Sequence, residues 1–99
     1  MTIDPGTLDR LLADAVGPDS AVAADLRALF LASATQHLAA MSQPASPAAW
    51  RDEALRLQGL AASFGVVELA GQAAEAAAAA APDATLLDRL ARSLADCRR

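Results

Sequence analysis

The chemistry open to this chain is bounded by its few reactive side chains. Its 99 residues include one His and one Cys. A single Cys precludes an internal disulfide, and with a single His it falls short of the ligands a usual structural metal site needs. His37 would serve as a base or nucleophile only if it reached solvent. On a helical wheel it falls close to Leu26, on a stripe that also carries Phe30 and Met41. It therefore reads as a core histidine with a satisfied hydrogen bond. Cys97 shares the stripe of Leu90 and Leu94 and reads as an inert packing residue. No Ser/His/Asp grouping, carboxylate pair around a cleft or phosphate-cradling glycine loop can be assembled. The expectation is a protein that is not an enzyme and has neither metal nor cofactor.

The most informative stretch is Trp50 to Gly65. At about 100° per residue, Trp50, Ala54, Leu57, Ala61 and Phe64 form one narrow apolar stripe with Leu60 at its edge. That stripe must face a core. Leu55 lies roughly 160° from Leu57, in the middle of the opposite face, among Arg51, Asp52, Gln58, Gly59 and Ala62. It is a large apolar residue where the helix should meet water.

This stretch resembles the histidine-containing phosphotransfer (HPt) domains of two-component signalling. Their motif is His-x-Leu-Lys-Gly on one long helix, followed by small residues, then Gly and a Leu four positions on. The matching register here is Leu55-Arg56-Leu57-Gln58-Gly59, then Ala61, Ala62 and Ser63, then Phe64-Gly65, then Leu69. Both glycines, the small residues and the spacing agree. The first and fourth motif positions do not.

The resemblance implies that Leu55 stands where the family has its phosphoacceptor His. A side chain without a nucleophilic atom cannot form a phosphohistidine. Gln58 stands where the family's assisting Lys would be, keeping hydrogen-bonding reach without the charge. Gly59 matches the glycine that lets the family's partners approach the helix closely. The implied function is a degenerate HPt-like binding module that docks on a response-regulator receiver domain or a histidine kinase. Its expected partner-binding residues are Arg51, Leu55, Arg56, Gln58, Gly59 and Ala62. Two other readings stand beside it: a structural or self-associating helical bundle, and an active phosphotransfer protein using another residue such as His37.

Length and composition frame these readings. Ninety-nine residues at 55% hydrophobic content suit a single domain over 1–99. A net charge of −4 argues against a nucleic-acid surface, which needs a basic stripe. All eight basic residues are Arg, which with the alanine richness points to a GC-rich bacterial source. The first residues lack the positive and apolar regions of a secretory signal, and no stretch reaches the roughly 18 apolar residues of a membrane span. A cytoplasmic protein, monomeric or weakly dimeric, is expected.

The pattern predicts five helical segments and no strand. Asp4-Pro5 opens a short one carrying Leu8, Leu11, Leu12, Ala15 and Val16, closed by Gly17-Pro18. Asp19 caps a second that runs toward Met41, with Val22, Leu26, Leu29, Phe30, Ser33 and His37 along one side. Ser46-Pro47 opens the segment carrying Leu55, which stops near Gly65. A fourth begins about Val66 and continues into the alanines 76 to 81, broken by Pro82. Asp83 caps the last, whose stripe is Leu87, Leu90, Leu94 and Cys97. Short connections favour antiparallel neighbours. The expected fold is all-α, an up-and-down antiparallel four-helix bundle with a short extra N-terminal helix.

Overall fold

The computed structural model describes residues 21–98, and among them every regular element is a helix. These are α1 (Ala21–Ser42), α2 (Pro47–Ser63), α3 (Val67–Ala78) and α4 (Ala84–Cys97). The expected short first helix, the Asp19 cap and Arg99 lie outside the described residues.

Local signals in the sequence set most of the boundaries. Ser46 adopts an extended backbone, and its Oγ accepts from the Ala49 N–H at 3.0 Å, while Pro47 supplies the first residue of α2. At the other end of α2, Gly65 takes φ 71°, a left-handed conformation natural to glycine. This turn lets the Val66 N–H reach the Ala61 carbonyl at 2.9 Å and the Gly65 N–H reach Ala62 at 3.1 Å. Two carbonyls at the end of α2 are thereby satisfied, and buried Val66 closes over Ala61. Asp83 caps α4 through one carboxylate oxygen, which accepts from the Thr85 and Leu86 N–H groups.

The end of α3 differs from expectation. The helix stops at Ala78, and Ala79 turns extended at ψ 138°, so the last alanines before Pro82 are not helical. Ala81 precedes a proline, which disfavours the helical region for it. The Ala76 carbonyl accepts instead from the Trp50 indole Nε1 at 2.8 Å and from the Ala79 N–H at 3.2 Å. A buried side chain of α2 thus takes up a carbonyl at the end of α3.

α1 packs on α2 and α4, and α3 packs on the same two, so the four helices close into a ring compatible with a four-helix bundle. Inside it lie Phe30, Ala34 and Met41 of α1, Trp50, Ala54, Leu57 and Ala61 of α2, Leu69, Ala73 and Ala76 of α3, and Leu90, Leu94 and Cys97 of α4. The Phe30 and Phe64 rings meet at 5.0 Å between centroids, tilted by 46°. Each fully buried Leu or Phe in such a core contributes about 1.5–3 kcal/mol. The interior alanines let helix backbones come close. Polar links cross the ring as well: the Ser93 hydroxyl to Gln72 at 2.7 Å, and an exposed Arg89–Glu75 pair at 3.0 Å.

The expected inner side of α1 is buried only in part: Phe30 and Met41 of that stripe enter the core. Val22 and Leu29, expected on the same inner side, are 54% and 62% exposed. The seam that enters the core runs through Phe30, Ala34 and Met41, about 100° around the wheel from them. α1 carries apolar residues on most of its circumference, so its own periodicity does not select a face. Its two neighbours do. No helix among the described residues is long and apolar enough to cross a membrane.

Candidate functional site

The outer face of α2 is where the expected binding residues meet. Because Trp50, Ala54, Leu57 and Ala61 are at most 1% exposed, the residues about half a turn away must point outward. Arg51, Leu55, Arg56, Gly59 and Ala62 are exposed, and Gln58 is half-buried beside them. Leu55 retains 49% of its surface. All six expected residues therefore lie on or at the edge of one face.

Gly59 is the unusual member. It sits inside a regular helix, takes no left-handed conformation, and a Cβ built on it would meet nothing within 4 Å. Neither backbone geometry nor packing among the described residues calls for glycine there. A glycine inside a helix costs about 1 kcal/mol relative to alanine.

The charges around Leu55 differ in their engagement. Arg56 donates to Glu53 Oε1 at 3.1 Å, and the other oxygen of Glu53 lies 2.7 Å from His37 Nδ1. This carboxylate ties α1 to α2 and neutralises Arg56. Arg51 makes no hydrogen bond or ion pair among the described residues. The other described arginines each have a partner: Arg27 and Arg98 are hydrogen-bonded, and Arg56, Arg89 and Arg92 are ion-paired.

His37 has the hydrogen bond expected of it but not the full burial. Its side chain is 26% exposed, at the rim of the α1 seam rather than in it. Cys97 is buried as expected. Burial pushes its thiol pKa up, the Asp96 carboxylate adds to the rise, and the Arg27 guanidinium opposes both. Arg27 also donates from Nη2 to the Cys97 carbonyl at 2.9 Å, closing the end of α4. Sequence reasoning missed that contact and the role of Glu53. The Glu53/Arg56 spacing of three was a readable signal for the local pair. The partners 16 and 70 positions apart left no local trace.

Chemically, the face offers an apolar side chain, a free guanidinium, an amide and an open backbone. The Ser63 hydroxyl is turned back onto the Gly59 carbonyl at 2.8 Å. These are means of binding. No three His, Cys, Asp or Glu residues among those described come together as a metal site. The chain matches no protein-family model, no curated protein and no solved structure.

Proposed function

We propose that this chain is an HPt-like protein-interaction module of bacterial phosphorelay signalling that cannot itself be phosphorylated at the motif position. It docks through the Leu55 face on a receiver domain or a histidine kinase, and so blocks or tunes phosphate flow. The observation that carries the reading is Gly59: an exposed helix-interior glycine with open space above it, one turn from a half-exposed leucine. A partner's backbone approaching α2 gives that glycine a purpose that the fold does not. The ring of four helices supports an up-and-down antiparallel bundle of the same kind.

The test is Leu55→Asp. Leu55 buries about half of its side chain, so its replacement costs about 1–2 kcal/mol of stability, which urea denaturation reads separately from binding. A charge at the centre of an apolar contact abolishes partner binding. Binding is read by NMR titration of the labelled domain with receiver and kinase domains from the same organism. Unchanged binding by Leu55→Asp overturns the reading. So does acid-labile phosphate transferred from a phospho-receiver to the wild-type chain.

A further inference from the structure

We infer that the partner of the Leu55 face inserts a carboxylate side chain into the cleft beside Arg51, between the first turn of α2 and the last turn of α3. The inference rests on the docking reading and names the chemistry of what docks. Arg51 holds a guanidinium with no partner among the described residues. Arg51 is one helical turn before Leu55 and about 40° from it on the wheel, so one partner surface covers both.

The cleft has a volume of about 230 Å³ and is walled by Pro47, Ala48 and Arg51 on one side and by the alanines 77 to 80 on the other. None of those neighbours is charged, so nothing in the wall competes for the guanidinium. The two helix ends meeting there add little of their own. α2 has no acidic residue in its first turn and α3 no basic residue in its last, and their opposite end charges offset each other. The charge of the cleft is that of Arg51.

The face is polarised rather than uniformly basic. Asp52 is exposed on the far side of Leu55 from Arg51, and Arg56 is neutralised by Glu53. A partner is therefore oriented as well as attracted, with its carboxylate toward α3. The whole chain carries a net charge of −4, so an acidic partner gains from Arg51 locally against a repulsive background. A planar guanidinium at the edge of an alanine-walled cleft donates to a carboxylate in the bidentate geometry that a lysine cannot reproduce.

The experiment measures the affinity of the wild-type chain and of Arg51→Glu, Arg51→Lys and Arg92→Glu for the receiver or kinase domain that titrates the Leu55 face. Arg51→Glu weakens binding at least about tenfold and Arg51→Lys by a smaller factor. Arg92→Glu makes the same charge change on exposed α4 and leaves affinity within about twofold. Shifts that reach Leu55 while Arg51→Glu binds as well as wild type overturn the carboxylate and spare the docking reading. Equal losses for Arg51→Glu and Arg92→Glu reduce the effect to net charge and overturn it too. If no receiver or kinase domain shifts the face, both readings fall together.

Discussion

Gly59→Ala separates what the fold needs at that position from what a partner needs. In the isolated domain the new methyl meets nothing within 4 Å, and the residue already has ordinary helical geometry inside α2. No packing gain or clash enters the sum. The substitution then changes only helix propensity, which favours alanine by about 0.8–1.0 kcal/mol. For a domain of this size that raises Tm by about 4–8 °C.

Urea denaturation followed by circular dichroism reads the stability, and NMR titration reads partner binding in the same sample. The docking reading requires opposite signs: a more stable domain that binds its partner more weakly, because the methyl holds the partner's backbone away. Gly71→Ala is the control. Gly71 is an exposed glycine inside α3 with the same open space, so it gains the same stability. It is outside the six-residue face and leaves binding unchanged. A Gly59→Ala variant that is less stable than wild type refutes the open-space argument. One that is more stable and binds equally well refutes the idea that a partner explains the glycine.

The remaining predictions address what holds α2 and its neighbours in place. Gly65→Ala forces a side chain into the φ 71° turn and destabilises by about 1–2 kcal/mol, read by urea denaturation. Asp83→Ala removes the cap of α4 and costs about 1 kcal/mol in the same assay. Leu57→Ala opens a cavity in the core, on the side of α2 opposite Leu55, and costs about 2–5 kcal/mol in the same assay. The raised pKa of Cys97 means the folded state holds that proton more tightly than the unfolded chain. Its contribution is full below the unfolded thiol's value and is lost as the pH rises through the folded one. Cys97→Ala therefore flattens the alkaline limb of the stability profile; an unchanged limb would sink the assignment.

How much of this was legible in the sequence follows from how far each determinant reaches. The inner stripe of α2, the Ser46 and Asp83 caps and the Gly65 stop depend on residues within a few positions of one another, and they stand where the pattern put them. The exposure of Val22 and Leu29 on α1 and the early end of α3 depend on other helices. Leu29 and Phe30 are equally hydrophobic to a wheel, and only the positions of α2 and α4 put one in water and the other in the core. An alanine run likewise carries no stop signal before Pro82. The hydrogen bond from Trp50 to Ala76 exists only once α2 and α3 are packed. At the candidate site the outward placement of Leu55 was local and readable. The lack of a partner for Arg51 among the described residues was not, since it depends on where the carboxylates of the other helices ended up.

The His37–Glu53 pair decides how the competing phosphotransfer reading should be weighed. A carboxylate on Nδ1 fixes the tautomer of a neutral imidazole and leaves Nε2 with the lone pair, an arrangement a nucleophilic histidine can use. Three features count against that use. The ring sits at the edge of the α1 seam with 26% of its side chain exposed, so an in-line approach by a phosphoryl donor is narrow. The one cation of this network, Arg56, is held on the other oxygen of Glu53. The free guanidinium and open glycine belong to Arg51 and Gly59, on the Leu55 face and not on α1. Glu53 is best understood as a strut between α1 and α2 whose carboxylate also neutralises Arg56. The phosphotransfer alternative requires instead that a labelled phospho-receiver transfer phosphate to wild type and that His37→Gln abolish the transfer.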